Sequence, residues 1–394
     1  MVKPDRTLTN TMKIRLLSIC CIATLAYTTS SYASELSELQ SLGKNLFFDQ
    51  NLSINRNQSC ASCHHPDKAF TDPRSLNAAS AGSIGSNNTS IGDRNTPSAA
   101  YASFTPELHL NDAGQYIGGL FWDGRANNLK EQAAGPPLNP DEMGLRSEAE
   151  FSQRIRENQN YLSAFSKLFG EQVVKEDGKL FDAAITAIAD YETSSELSPF
   201  DSKYDRYLRG EYQMTAEEDL GMTLFFSQQF TNCNQCHQLH TSNIAAQETF
   251  TDYTHHNIGV PSNIALRKIN GTPPQSQDFG LGSTDKINTE NRAELNGKFK
   301  VPTLRNVAIT APYMHNGVFN ELETVVRFYN KYNSRSSKNQ TNPETNQPWL
   351  DAEVPENISL KELEHGPALD TRRIKALVAF MKTLTDKKYE YLIK

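Results

Sequence analysis

The sequence has few cysteines for its length, and none of them is free to form a structural disulfide. Of the 394 residues only six are cysteine. Two of these, Cys20 and Cys21, fall inside an N-terminal apolar run and would leave with a cleaved signal. The other four stand at the ends of two C-x-x-C-H motifs, in residues 60–64 and 233–237. An exported chain could keep disulfides, but here every remaining thiol belongs to one of the two motifs.

The chain also lacks a hydrophobic run long enough to span a membrane. The apolar segment at residues 16–26 is too short for a transmembrane helix. Lys13 and Arg15 precede it, and Ser-Tyr-Ala at residues 31–33 follows as a small-residue cleavage site. This order is typical of a secretory signal peptide. We predict a signal peptide at residues 1–33, with Met12 as an alternative start, export to the periplasm, and no stable membrane span after cleavage.

An excess of positive charge is missing as well. The net charge is −7, and residues 1–33 carry four basic side chains and one acidic one, so the mature chain would carry about −10. This balance argues against nucleic acid as a partner, because such proteins show basic patches or stripes.

The two C-x-x-C-H motifs are the strongest signal in the sequence. This spacing is the attachment signature of c-type haem, in which both thiols bind the porphyrin and the adjoining His binds iron. A four-thiol zinc site would have to join pairs about 170 residues apart. A redox dithiol would sit in a βαβ pattern, which the sequence does not favour. Two covalently bound haems c are the predicted cofactors.

An internal repeat predicts two similar units. Leu-Gly-x-x-Leu-Phe-Phe occurs at residues 42–48, before the first motif, and at 220–226, before the second. Its apolar spacing indicates one face of a helix. We therefore predict a mostly α fold with two cytochrome c-like haem domains, 34–205 and 206–394, and long loops ordered by the haems.

Further helices and loops follow from capping and periodicity. Ser37 and Thr215 are predicted N-caps, the latter with a capping box. Helices are predicted over residues 181–192, 321–331 and 370–384, each with an apolar stripe. Residues 75–93 and 333–359 are predicted as loops because they are rich in polar residues, with glycine in the first and proline in the second.

Short motifs between and after the haem signatures carry a family resemblance. Phe-Thr-Asp (70–72), Arg-Asn-Thr-Pro-Ser (94–98), Phe-Trp-Asp-Gly-Arg (121–125) and Asn-Pro-Asp-Glu-Met-Gly (139–144) follow the first motif in order. Val-Pro-Thr-Leu-Arg-Asn (301–306) and Thr-Ala-Pro-Tyr-Met-His-Asn-Gly (310–317) follow the second. The ordered set resembles the bacterial di-haem cytochrome c peroxidase family, and most closely its MauG-like branch.

The resemblance implies different duties for the two haems. The haem bound by Cys60, Cys63 and His64 would be high-spin, with an open position for peroxide. The haem bound by Cys233, Cys236 and His237 would be six-coordinate and would pass electrons. Many relatives block the first iron with a loop His, but position 80 is serine here. This departure favours a pocket that is open at rest.

Two residues compete as sixth ligand of the second haem. Tyr329 matches the axial Tyr of the MauG-like branch, and Met314 is the alternative. A phenolate oxygen would lower the potential of the iron, whereas a thioether would raise it. The alternative structural interpretation of Tyr329 is an aromatic residue in the core of an amphipathic helix.

The resemblance also assigns residues around the first haem. Glu142 matches the distal acid–base group, which would move a proton between the peroxide oxygens. Gln132 matches a nearby residue that orients peroxide. Trp122 matches the residue between the haems that relays oxidising equivalents.

The remaining implied ligands are for calcium and for a haem propionate. Asn95, through its side chain, and Thr310 and Pro312, through their carbonyls, match ligands of a calcium ion, whose preference is for oxygen. His256 matches a His near the second haem.

The function that these residues imply is periplasmic reduction of hydrogen peroxide, an oxidoreductase of the cytochrome-c peroxidase type. The electrons would come from a small cytochrome c or a cupredoxin. One alternative is a MauG-like maturase that oxidises side chains of a partner protein. The other is a di-haem electron carrier without peroxide turnover.

Overall fold

The computed structural model describes residues 35–240, 246–287, 290, 292–364 and 366–394. The predicted signal peptide lies outside these residues. Helices supply most of the regular structure, and the strands form short antiparallel pairs, which confirms the predicted mostly α class. Among the described helices, none is both long and apolar enough to cross a bilayer.

The first half of the described chain holds helices, joined by long loops, and two short hairpins. In chain order its helices are α1 (Glu38–Phe48), α2 (Cys60–Cys63), α3 (Leu129–Leu138), α4 (Glu148–Arg156), α5 (Gln159–Phe169) and α6 (Asp177–Glu192). Its strand pairs are β1 (Gly82–Ile84) with β2 (Ile91–Asn95) and β3 (His109–Leu110) with β4 (Tyr116–Ile117).

The second half follows the same plan. Its helices are α7 (Lys203–Leu208), α8 (Ala216–Phe226), α9 (Ile264–Asn270), α10 (Arg292–Leu295), α11 (Leu322–Asn330), α12 (Leu360–Leu363) and α13 (Thr371–Lys382). Its strand pairs are β5 (His255–His256) with β6 (Phe299–Lys300) and β7 (Thr341–Asn342) with β8 (Gln347–Pro348).

The first hydrophobic core forms where α1 crosses α6. Phe47 and Tyr191 pack edge to face across this crossing, with ring centroids 5.4 Å apart. Gly43 allows the two backbones to approach, because a methyl group there would collide with the carbonyl oxygen of Ala187. The core extends along the chain from Leu42 to Leu197.

The second core repeats this construction with α8 and α13. Phe225 packs against Phe380 with ring centroids 5.2 Å apart. Gly221 approaches Ala376 just as Gly43 approaches Ala187, and a methyl group would again collide with a carbonyl oxygen. This match aligns residues 187–192 of α6 with residues 376–381 of α13. The core residues run from Tyr204 to Leu384.

Capping and periodicity identified the helices that build these cores. Ser37 and Thr215 are both N-caps, as predicted, and Thr215 forms the predicted capping box. Ser37 also forms a capping box, which was not predicted. Helices α6, α11 and α13 lie within four residues of their predicted bounds at each end.

The loop prediction for residues 75–93 was wrong in part. Strand β1 lies inside this segment and pairs with β2, which begins inside it and ends just after it. The side chains of Ser83 and Thr96 approach each other across the hairpin. The composition is polar because the hairpin contributes to the wall of a cavity rather than to a core.

A buried polar joint connects the two cores. Arg305 forms a two-pronged ion pair with Asp205, with N–O distances of 2.5 and 2.9 Å. The Tyr101 hydroxyl donates to Asp386 at 2.5 Å, and the Asn306 amide donates to the other oxygen of that carboxyl at 2.8 Å. The Arg305 guanidinium carbon also lies 5.4 Å from the centre of the Tyr101 ring. The joint therefore ties a side chain of the first core to four residues of the second half.

Candidate functional site

The two C-x-x-C-H motifs adopt the same local structure. In each, the backbone N–H of the His bonds to the carbonyl of the first Cys, at 2.8 Å for His64 and 2.9 Å for His237. Each imidazole Nδ1 faces a backbone carbonyl, that of Phe70 at 3.0 Å and that of Phe250 at 3.2 Å. A nitrogen facing a carbonyl must carry the proton, so Nε2 is the nitrogen left to bind a metal.

The sequence folds this way because of a matching turn after each motif. Phe70 and Phe250 both have φ of 56°, a left-handed conformation that aims the carbonyl back at the imidazole. Each Phe is fully buried on its own core, which holds the strained turn in place. The Phe-Thr-Asp motif noted in the first half therefore has a counterpart at residues 250–252.

Burial sets the charge state of both motifs. It lowers the pKa of His64, and it lowers that of His237 to about 4, so both imidazoles are neutral. It raises the pKa of the Cys236 thiol to about 12. Cys60 packs against the first core and Cys233 against the second. One thiol of each pair thus packs on a different core, and burial favours the protonated form of all four thiols, which disfavours a shared zinc ion.

One large cavity joins most of the predicted site residues. Its volume is about 1200 Å³, above the usual range for a small-ligand pocket. Its wall includes the first motif and every other predicted site residue outside the second motif: Cys60, Cys63, His64, Asn95, Trp122, Gln132, Glu142, His256, Thr310, Pro312, Met314 and Tyr329. Cys233, Cys236 and His237 do not line it.

Glu142 and Gln132 face this cavity from α3 and the turn that follows. Pro136 and Pro137 lie within α3, and the turn closes when Glu142 N–H bonds to Asn139 O at 3.0 Å. The β1–β2 hairpin supports the turn, because Ser86 N–H bonds to Glu142 O at 2.7 Å. Burial raises the pKa of the Glu142 carboxyl, and the positive charge of Arg125 offsets part of this rise.

Trp122 is held by backbone on both sides. Its indole Nε1 donates to Asn95 O at 2.8 Å, and its own carbonyl accepts from Lys300 N–H at 2.8 Å. The Asn95 side-chain amide donates to Pro312 O at 2.6 Å, and Asn95 is itself buried. Trp122 is therefore bonded to strand β2 of the first half through its indole and to strand β6 of the second half through its backbone carbonyl.

Tyr329 and Met314 lie differently with respect to the second motif. Burial raises the pKa of the Tyr329 phenol, and Cys236 and Cys233 are the next causes, so the phenol lies near both thiols. Met314 stands in a tight turn with φ of 73°, which Gly317 N–H closes by bonding to its carbonyl at 3.1 Å.

His256 also belongs to the second motif's surroundings. Its charge contributes to the lowered pKa of His237, so the two imidazoles are near each other. Its Nδ1 lies 3.3 Å from the Ser359 hydroxyl.

Glu192 and Lys300 are among the ionisable residues of the cavity wall that sequence reasoning missed. Glu192, at the end of α6, is buried, and Lys300, in β6, has its pKa lowered by burial to about 8. No motif marks either residue. Lys300 directly precedes the Val-Pro-Thr motif, and Glu192 lies in the last turn of α6, outside every motif noted above.

Comparison with known proteins agrees with this geometry. The family model described as di-haem cytochrome c peroxidase matches residues 37–213. The chain is 46% identical to the methylamine utilization protein MauG of Paracoccus denitrificans over 384 residues, which cover 96% of this chain and 98% of that protein. It is 32% identical to the cytochrome c551 peroxidase of Nitrosomonas europaea, covering 74% and 72% of the two chains.

A solved structure extends the similarity to the fold. The diheme peroxidase BthA of Burkholderia thailandensis is 33% identical, covers 92% of this chain and 89% of its own, and superposes with a TM-score of 0.79. The extent and identity of these matches establish that the chain belongs to the di-haem cytochrome c peroxidase family, which includes MauG.

Proposed function

We propose that the protein is a periplasmic peroxidase that reduces hydrogen peroxide with electrons from an external redox protein. Each turnover would convert one hydrogen peroxide, two protons and two electrons into two waters. The observation that carries the proposal is the single cavity that holds the first haem motif, a buried carboxyl and Trp122. The donor is a small cytochrome c or a cupredoxin, and export depends on the N-terminal signal.

Two units, 34–205 and 206–394, would each hold one haem c. Cys60 and Cys63 would attach the first porphyrin, and Cys233 and Cys236 the second. The fixed Nδ1 protons of the neutral imidazoles support Nε2 of His64 and His237 as the iron ligands. When bound, the haems would supply the redox chemistry, and peroxide would react at the first.

Glu142 and Gln132 would carry out the proton transfer and the orientation of peroxide. Glu142 takes a proton from one peroxide oxygen and returns it to the other, which general acid–base catalysis requires. Its raised pKa supports this, because a carboxyl that titrates closer to neutral both accepts and releases a proton readily. Gln132 orients peroxide from the same wall of the cavity.

Electrons would pass between the two halves through Trp122. Its indole donates to strand β2 of the first half, and its backbone carbonyl accepts from strand β6 of the second half, so Trp122 is a rigid relay point. We propose Tyr329 rather than Met314 as the sixth ligand of the second haem, since the Tyr329 phenol lies near both thiols of that motif.

A calcium ion would stiffen the contact between the two halves around Trp122. Asn95 is buried, and its amide already meets the Pro312 carbonyl. Turning the amide over would present Oδ1 beside that carbonyl, and Thr310 lies two residues earlier in the chain. Three oxygen ligands with water suit calcium. His256 would hydrogen-bond a propionate of the second haem.

Stopped-flow and steady-state assays test the function. The purified holoprotein, given hydrogen peroxide and a reduced small cytochrome c, should oxidise two donor molecules per peroxide and show a high-spin ferric fraction at rest. Two low-spin haems and no peroxide consumption with any donor would instead identify an electron carrier.

Oxidation of a partner protein is the second candidate. The observation that favours it is the 46% identity to a methylamine utilization protein over nearly the whole chain. A MauG-like maturase would consume peroxide while adding oxygen or cross-links to side chains of a protein substrate. Mass spectrometry of that substrate, with slow turnover of small donors, would distinguish it from a peroxidase.

A further inference from the structure

The last turn of α6 places an unused carboxyl in the wall of the cavity. Glu192 is 5% exposed, and its Oε2 has no hydrogen-bond partner among the described residues. Ile188, one turn earlier on the same face, also lines the cavity. Leaving a buried polar atom unpaired costs about 1–3 kcal/mol. A carboxyl at this position therefore calls for a partner inside the cavity.

Glu192 lies beside the attachment point of the first haem. Burial raises the pKa of the Cys60 thiol most, and the charge of Glu192 is the next cause, with a smaller contribution from Glu142. Both carboxyls thus act on the same sulfur. Glu192 is near the edge of the first haem site and shares the cavity with the distal acid.

The other half of the molecule shows that packing does not require an acid here. The crossing of α8 and α13 repeats that of α1 and α6, so Met381 is the counterpart of Glu192. Met381 lines the cavity too, and it is 7% exposed. The same place in the fold therefore holds a thioether in the half proposed to pass electrons and a carboxyl in the half proposed to reduce peroxide.

The surroundings of Glu192 favour its protonated form. Burial raises the pKa of the carboxyl to about 8. The titratable groups near it are the Cys60 thiol of α2 and the Tyr191 phenol of α6, whose pKa values its charge raises. Phe47 of α1 and Gln132 of α3, which also line the cavity, are uncharged. Nothing cationic among these groups would hold Glu192 as a carboxylate.

We propose that Glu192 is a second proton-carrying residue of the first haem site, coupled to the charge of that site. With the oxidised first haem bound, its positive charge would favour the Glu192 carboxylate. Adding one electron from an external donor would remove that charge, so Glu192 would take up one proton from solvent and become the acid. When the electron leaves, the proton would be released to the cavity. The inference deepens the proposed function and rests on it, since it supplies one of the two protons that each turnover consumes.

The test is a redox titration of each haem in the holoprotein between pH 5 and pH 9. In the unmodified protein the midpoint potential of the first haem should fall as pH rises, because reduction and protonation are coupled. Glu192→Gln, which keeps the shape but cannot ionise, should make that potential nearly independent of pH. Glu192→Met, which copies the counterpart position, should do the same.

Controls separate this from a structural effect. Met381→Leu should leave the pH dependence of both haem potentials unchanged. Mass spectrometry should find two haems in every variant. A first-haem potential with the same pH dependence in Glu192→Gln as in the unmodified protein would overturn the proposal. The titration needs no peroxide, so a failed peroxidase assay with an intact pH dependence would count against the proposed function alone.

Discussion

At the scale of single residues, the buried carboxyl of Glu142 should control peroxide turnover. Glu142→Gln removes the proton acceptor but keeps the volume, so kcat/KM for peroxide should fall about 10²–10⁴-fold, the usual contribution of an acid–base group. The unmodified enzyme should lose activity as pH falls through the raised pKa of Glu142, because the protonated acid cannot accept a proton. Initial rates from pH 4 to pH 9 measure both effects.

Two neighbouring charges provide matched controls for Glu142. Asp141 raises the pKa of Glu142, so Asp141→Asn should move the acid limb of the profile to lower pH. Arg125 lowers that pKa, so Arg125→Gln should move the limb to higher pH. Both variants should keep the plateau rate. If both substitutions moved the acid limb in the same direction, or neither moved it, Glu142 would not be the group whose titration limits the rate.

Also at the residue scale, Tyr329 should determine the potential of the second haem. Tyr329→Met replaces an oxygen ligand that stabilises ferric iron with a thioether, so the midpoint potential should rise. Met314→Leu, the control, should leave both the spectrum and the potential of this haem unchanged. Spectroelectrochemistry on the two variants decides between the ligands. A change with Met314→Leu and none with Tyr329→Met would reverse the assignment.

At the scale of elements, the two glycine crossings should carry much of the stability. A methyl group at Gly43 or Gly221 would collide with a backbone carbonyl of the facing helix. Gly43→Ala and Gly221→Ala should each lower the free energy of unfolding by about 1–3 kcal/mol, the usual cost of overpacking. Denaturant titration of the holoprotein, followed by far-UV circular dichroism, measures the loss.

A third glycine offers the matched control. Gly178 lies in the first turn of α6, and a methyl group there would meet only a side-chain oxygen of Glu148, at 3.6 Å. Gly178→Ala should therefore stabilise the protein by about 0.5–1 kcal/mol, since alanine loses less backbone freedom in a helix. Equal destabilisation by all three substitutions would show that the close crossings are not special.

The same elements show how far the sequence alone determines the fold. Helices with an N-cap and an apolar stripe, such as α8 and α13, could be placed because capping and periodicity are local. The left-handed turns at Phe70 and Phe250 could not be predicted from the sequence. A bulky residue adopts positive φ only when the surrounding core holds it there. The β1–β2 hairpin was missed because its short strands have little apolar alternation.

The site was predictable to the extent that short motifs mark it. Glu142 and Trp122 stand inside recognisable motifs, and both line the cavity. Glu192 has no motif, and in sequence it is one acid at the end of an amphipathic helix, where an exposed position is the usual expectation. The structure shows that its side chain is buried, and the alignment of α6 with α13 shows that its counterpart is methionine.

At the scale of the whole molecule, the joint between the cores should make stability depend on pH. Burial raises the pKa of Asp386 to about 6, although Tyr101 and Asn306 donate hydrogen bonds to it. The folded state therefore binds this proton more tightly than the unfolded chain does. The resulting stabilisation is full below the ordinary pKa of 3.8 and is lost as pH rises through about 6.

Asp386→Asn should remove this dependence. About two pKa units correspond to about 3 kcal/mol, so the stability of the variant relative to the unmodified protein should improve by roughly that amount between pH 4 and pH 7. The free energy of unfolding of the variant should also be lower by an amount that does not depend on pH. The new amide N–H group would face the Asn306 donor, so one hydrogen bond would be lost. Denaturant titrations of both proteins at several pH values give the difference.

Tyr101→Phe tests whether the effect arises at the joint. The Tyr101 hydroxyl lowers the pKa of Asp386, so its removal should move the pH-dependent loss of stability to higher pH rather than abolish it. Tyr101 belongs to the first core, while Asp386 follows the last helix of the second. A stability difference for Asp386→Asn that is flat with pH, or a Tyr101→Phe curve that does not move, would mean that this carboxyl does not sense the contact between the two halves.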